Sequence, residues 1–167
     1  MAARIELRPP AAGDASEFVA AARASRALHG SWISAPATPE AFRAWRKRMA
    51  QPTHCALLAC RAGDGAIAGV FNITNMVMGP FRSAFLGYYA FAGHEGQGLM
   101  AEGLRATVKH AFKSLKLHRL EANIQPGNAA SIALVQACGF QLEGYSPRYL
   151  KIAGRWRDHE RWAVIVS

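Results

Sequence analysis

Acidic residues are scarce in this chain of 167 residues: 11 Asp and Glu stand against 20 Lys and Arg, a formal net charge of +9. Such a balance suits polyanionic partners, whether nucleic acid, a ribosome or a phosphorylated cofactor. Abundant Ala and an excess of Arg over Lys fit a GC-rich coding bias equally well. Cysteine is sparser still. Cys55, Cys60 and Cys138 are odd in number and lack C-x-x-C spacing, which argues against a disulfide framework or a zinc knuckle and for a reducing compartment. No apolar run approaches the roughly 18 residues of a membrane span, because Gly, Asn, Arg or His interrupts each one. Residues 1–10 mix charge and proline where a secretory leader needs an unbroken apolar stretch, so a cytoplasmic protein without a membrane partner is expected. RGG runs, zinc fingers and RNP-like aromatic motifs are absent too.

The length suits a single domain over residues 1–167 and excludes a two-domain dehydrogenase, a full (β/α)₈ barrel or a kinase-sized enzyme. Residues 4–7 read as a first strand, and Asp14 with Glu17 three positions on reads as a capping box opening a helix to about residue 28. Thr38 before Pro39 predicts a second helix, whose buried stripe is Phe42, Trp45 and Met49. Its other face carries Arg43, Arg46, Lys47 and Arg48, a pattern typical of a solvated surface. Residues 54–60 and 66–74 flank a Gly-rich turn and read as a hairpin, followed by a strand over residues 83–91. A helix over residues 99–115, a strand over 120–124, a helix over 131–138 closed by Gly139, and a hairpin of 141–152 with 156–166 complete the chain. The predicted order is β-α-α-β-β-β-α-β-α-β-β, an α+β (mixed α/β) fold in which about seven strands form a mixed, mostly antiparallel twisted sheet flanked by about four helices.

The most informative segment is residues 91–103, FAGHEGQGLMAEG, between a strand and a long helix. A glycine-rich strand-to-helix junction exposes unpaired N–H groups at the positive end of the helix macrodipole and lets an anion approach the main chain. Gly96-x-Gly98-x-x-Ala101, with Glu121 further on, satisfies a dinucleotide fingerprint, but that fingerprint belongs on the first strand of a parallel array and an antiparallel meander precedes it here. No Gly-Lys-Ser/Thr follows, which excludes a Walker A loop.

Read from the preceding strand, Glu95-Gly96-Gln97-Gly98-Leu99-Met100 resembles the acetyl-CoA pyrophosphate loop of the GNAT superfamily of N-acetyltransferases, Gln/Arg-x-x-Gly-x-Gly/Ala. Glu95 stands where that pattern has Gln or Arg, and Met100 where it has a small residue; main-chain donors over residues 96–100 do not depend on either side chain. His118 to Asn123, Asn128-x-x-Ser131-x-x-Leu134 and Gly139-Phe140-Gln141-Leu142-Glu143 are similar to the superfamily's second cofactor region. The ending Tyr149-Leu150-x-Ile152-x-Gly154-x-Trp156-Arg157-Asp158-His159 resembles the RimJ/RimL-type branch that acetylates ribosomal-protein N-termini, above all the alanine-specific RimJ type.

The resemblance implies acetyl-CoA as cofactor, with CoA as product, and direct attack of an amine in a ternary complex. It places the cofactor against Tyr89, Ala90 and Phe91 of the strand, residues 95–100 of the loop, Asn123, Asn128 and Ser131. A main-chain N–H within residues 88–91 would polarise the thioester carbonyl, and Ser131 would approach the CoA sulfur or cap its helix. The general base is Glu121 or Glu143, each of which also suits a structural strand partner. His159 and His94 are further candidates, and Cys138 reads as core rather than nucleophile. The implied partner is a protein N-terminus, in a ribosomal protein, beside RNA that the basic surface would approach, the enzyme being a monomer or homodimer with no metal. Acetylation of a small amine (an amino acid, a polyamine or an antibiotic) is one alternative, and a non-catalytic basic RNA- or protein-binding module is another.

Overall fold

A computed structural model describes residues 2–166. Seven strands, β1 Ile5–Arg8, β2 Cys55–Arg61, β3 Ile67–Val77, β4 Ser83–Ala90, β5 Arg119–Ile124, β6 Gln141–Ile152 and β7 Arg155–Ile165, form one sheet in the order β1-β2-β3-β4-β5-β7-β6. Neighbours pair antiparallel except β4 and β5. That exception follows from chain direction, because helix α4 (Leu99–Lys113) crosses between the two strands and returns the chain parallel. Parallel pairing holds only at Ser83–Arg119, Ala84–Leu120 and Phe85–Glu121. Beyond Phe85 the two strands part, leaving a wedge in the middle of the sheet.

Helices α1 (Ala15–Ala24) and α3 (Pro39–Met49) cover one face through Phe18, Phe42 and Trp45, which pack on Leu58, Val70 and Phe91. Helices α4 and α5 (Ala129–Ala137) cover the other, where Phe71, Leu104, Leu120, Val135, Phe140 and Trp162 share one core. The apolar cluster under α1 and α3 takes no residue from β5, β6 or β7, so that half of the face carries no helical layer. Pro147 lies on β6, the edge strand, where a missing N–H costs no ladder bond.

The expected α+β architecture and mostly antiparallel seven-stranded sheet are present, and Thr38 caps α3 by accepting from the Ala41 N–H at 3.0 Å. Two local expectations are corrected. The helix expected to reach residue 28 is divided into α1 and a single turn, α2 (Arg26–His29), so the described residues hold four longer α-helices and this turn. At the break the buried Ser25 hydroxyl donates to Ala21 O at 2.6 Å and accepts from the Ala92 N–H at 2.8 Å. Back-bonding to the carbonyl four residues earlier bends a helix, and the pull toward Ala92 completes the break. The Asp14–Glu17 capping box does not form. Asp14 accepts instead from Arg8, at 2.7 and 2.8 Å, and from the Ala11 N–H at 2.7 Å, which leaves α1 without a side-chain cap. No described helix is long and apolar enough to cross a membrane, all three cysteines are free, and the described residues hold no group of three or more metal-ligating side chains.

Candidate active site

The junction between β4 and α4 is a ring of left-handed glycines: Gly93, Gly96 and Gly98 have φ of 91°, 75° and 76°. Such angles turn successive N–H groups inward, and an L side chain rarely adopts them. Gly98 caps α4 with no side-chain bond, and the N–H groups of residues 96–101 meet no acceptor among the described residues. The loop is held from outside. Arg4 Nη1 donates to Gln97 O at 2.9 Å and its Nε to Glu102 Oε2 at 3.1 Å, while Glu102 Oε1 accepts the Arg4 and Ile5 N–H groups at 2.6 and 3.2 Å. Main-chain N–H groups, its own foremost, hold the Glu95 carboxyl below the usual range.

From this cradle a cavity of about 470 Å³ runs along β4 to α5, walled by Tyr88, Tyr89, Ala90, Leu99, Met100, Asn128 and Ser131. Phe91 N–H is spent on Ala68 O at 2.8 Å, so strand alternation turns the main chain of Ala90 and Tyr88 away from β3 and into the wedge. His29 Nε2 donates to Ala90 O at 2.7 Å and anchors α2 there. Tyr89 Oη and His94 Nδ1 are buried with no partner, and burial pushes the Tyr89 hydroxyl pKa upward.

At the far end Tyr88 Oη meets Ser131 Oγ at 2.7 Å, and the Tyr88 pKa is pushed up to about 12 by burial. A hydroxyl in that state keeps its proton at neutral pH and can give it only to a strongly basic partner. Ser131 N–H donates to Asn128 Oδ1 at 3.3 Å, so Asn128 caps α5 and fixes Ser131 opposite Tyr88. Both residues also line a second cavity, of about 140 Å³, on the β5 side of the wedge, with Trp32, Gly87, Asn123, Leu150 and His159. The two spaces therefore adjoin at the Tyr88–Ser131 pair.

Of the residues expected from sequence, Tyr89, Ala90, Glu95, Gly96, Gly98, Leu99, Met100, Asn128 and Ser131 wall the first cavity, and Asn123 the second. Gln97 sits behind the cradle, its amide donating to Gly93 O at 3.1 Å. Phe91 is buried against Phe18 with its N–H already used. Glu121 and Glu143 line neither cavity. Arg119 takes Glu143 in two hydrogen bonds of 2.6 and 2.9 Å and reaches Glu121 at 3.4 Å. That pairing holds the Glu143 carboxyl below its usual range, which weakens it as a base. Cys138 Sγ faces Ala101 O at 3.6 Å, and burial pushes its thiol pKa up, the state of a packed thiol and not of a nucleophile. Sequence reading missed His29, the Arg4 clamp and the Tyr88–Ser131 pair. Period-two alternation could have placed Tyr88 toward α5; nothing local pointed to the rest.

A cradle of free amides at a helix N-terminus suits an anionic group such as a phosphate, and the parted strands leave a cleft beside it. The acetyltransferase (GNAT) domain model matches residues 4–141, and the chain belongs to that family. It is 42% identical over 93 residues, 56% of its length, to the [Ribosomal protein uS5]-alanine N-acetyltransferase of Escherichia coli, and 36% identical over 104 residues, 62% of its length, to the probable N-acetyltransferase YjcK of Bacillus subtilis. Those stretches cover 48% and 58% of the two relatives, so the chain spans about half the length of the curated relatives it matches. Among solved structures, Mycobacterium smegmatis RimJ in complex with CoA-disulfide superposes with a TM-score of 0.89 at 26% identity, over 96% of this chain and 81% of that one.

Proposed function

We propose that this protein transfers the acetyl group of acetyl-CoA to the N-terminal amine of a protein, a ribosomal protein such as those modified by its relatives, in the cytoplasm. The observation that carries the reading is the meeting of the two cavities at Tyr88 and Ser131. The cradle fits the pyrophosphate, since the unpaired donors over residues 96–101 include Gly96 and Gly98, at φ where a Cβ would be strained. Acetyl-CoA supplies the acyl group on a thioester, whose C–S bond breaks as the new C–N bond forms. The chain binds and orients: Tyr88 and Ala90 offer main-chain groups to the wedge, and the Tyr88–Ser131 hydroxyls hold a proton beside it. The second cavity lacks any Asp or Glu, so it has no counter-charge for a polyamine, and Trp32, Leu150 and Ile152 give it an apolar wall. This favours a peptide end over a cationic small molecule.

Calorimetric titration tests the first half: micromolar binding of acetyl-CoA with no heat from NAD is expected. Release of CoA thiol on mixing with peptides beginning Ala or Ser, compared with spermidine, tests the second. Preference for spermidine, or salt-sensitive RNA binding without acetyl-CoA affinity, would overturn the reading.

A further inference from the structure

The chemistry needs an acceptor for the protons that the attacking nitrogen sheds, and both carboxylates singled out in the sequence are committed to Arg119. Resting on the proposed activity, we infer that His159 is the general base and that Asn123 positions the amine beside it. His159 is buried, at 3% exposure, and walls the second cavity. Its Nδ1 lies 2.8 Å from Arg157 O. A carbonyl oxygen only accepts, so the neutral ring carries its hydrogen on Nδ1 and keeps a lone pair on Nε2. Nε2 has no partner among the described residues.

Asn123 supplies the independent observation. Its Oδ1 is buried and unpartnered in the same cavity, a state that costs free energy unless a donor arrives. Asn123 pairs with Arg161 across β5 and β7, and His159 lies two residues from Arg161, so both side chains leave the same face of the sheet. Two acceptors and no carboxylate in one pocket fit a primary ammonium that must lose its charge, because a carboxylate would hold that charge in place.

In the reaction Nε2 takes the first proton from the acceptor ammonium and passes it to solvent. The freed nitrogen pair makes the C–N bond as the C–S bond breaks. The Tyr88–Ser131 pair hands a proton to the leaving sulfur, and the second proton shed by nitrogen replaces it. Arg157 O continues to accept from Nδ1–H in the imidazolium state, which supports the charged ring. Around the imidazole, β6 presents the Tyr149 ring at 6.3 Å and β4 brings Tyr88 to the cavity wall; on β7 the adjoining Asp158 is held by Tyr145 and the Arg148 N–H, and Arg161 by Ser146, while β5 and the Trp32 loop bring no charged group to this cavity.

The test compares wild type with His159→Gln, using acetyl-CoA and a peptide beginning with Ala. The variant is expected to lose roughly 100-fold or more in kcat at neutral pH, to keep acetyl-CoA affinity, and to regain rate as alkaline solution supplies free amine. The acid limb expected in the wild-type kcat/KM profile should be replaced in the variant by a rise that follows deprotonation of the peptide amine alone. Asn123→Ala should raise KM for the peptide while keeping that limb. Should His159→Gln fail to fold, His159→Asn is the second variant, with the same loss of kcat at unchanged acetyl-CoA affinity expected. An active wild type whose rate at neutral pH survives in His159→Gln, or in His159→Asn where the Gln variant fails to fold, overturns the assignment alone. A wild type that acetylates no amine overturns the proposed function and this inference together.

Discussion

Replacing Gly98 by Val probes the cradle and its clamp together. Gly98 has φ of 76°, and a Cβ there would lie 3.2 Å from Arg4 Nη2. Holding an L-residue in the left-handed region costs about 1–2 kcal/mol, and β-branching makes the upper end the better figure. Arg4 is exposed enough to swing aside, so the contact itself is cheap to relieve, but the swing removes the bond to Gln97 O and loosens the donors behind it. Gly65→Val is the matched control. Gly65 has φ of 73° in the β2–β3 turn, and a Cβ there meets nothing within 4 Å. Urea unfolding should show similar losses of about 1–2 kcal/mol for both variants. Calorimetric titration should show acetyl-CoA affinity unchanged in Gly65→Val and lowered tenfold or more, about 1.4 kcal/mol, in Gly98→Val. Equal destabilisation with wild-type affinity in both would refute the assignment of the loop as the anion site.

Two further expectations concern stability. Arg8 and, more weakly, the Ala11 N–H lower the Asp14 pKa; its stabilisation is therefore full above the ordinary Asp value of 3.8 and lost as pH falls through the lower folded value, so Arg8→Gln should flatten the urea stability curve between 3.8 and that lower value, and parallel acid limbs would refute the pairing. Gly103→Ala would place a Cβ 2.8 Å from Cε2 of the fully buried Phe71, an overpacking cost of about 1–3 kcal/mol set against about 1 kcal/mol of helix propensity; net destabilisation up to about 2 kcal/mol is expected on urea unfolding, and a stabilised variant would mean that the ring yields.

What could be read from the sequence was local in origin. The left-handed glycines of the cradle, the Thr38–Pro39 helix start and Gly139 after α5 announce themselves because few other residues tolerate those backbone states. Helical periodicity also placed the Phe42, Trp45 and Met49 stripe correctly. The capping box failed because Arg8, six residues away on β1, competes for the Asp14 carboxylate with the strength of a charge-assisted pair. The site's chemistry was the least legible part. Ser131 was picked out, but its partner Tyr88 is 43 residues away, and the Arg4 guanidinium reaches Gln97 across 93 residues. Such meetings follow from where β4 and β5 stop pairing, which no window of sequence encodes. Glu121 and Glu143 suit a base by residue type, yet Arg119 lies between them and holds both.

The helix-free half of one sheet face has a consequence for how such a protein can change. The glycine cradle is built from the β4–α4 junction and from Arg4 just before β1, whereas the second cavity takes its wall from Asn123 on β5 and from the β6–β7 hairpin, which joins the rest of the sheet through β5. No helix rests on that side of the hairpin, so its exposed residues, Tyr145, Leu150 and Trp156 among them, can be exchanged without repacking a core. On the proposed activity, carrier recognition and choice of amine are inherited on separate parts of the chain, and a drift in acceptor would leave its record in the final hairpin long before it touched the glycine loop.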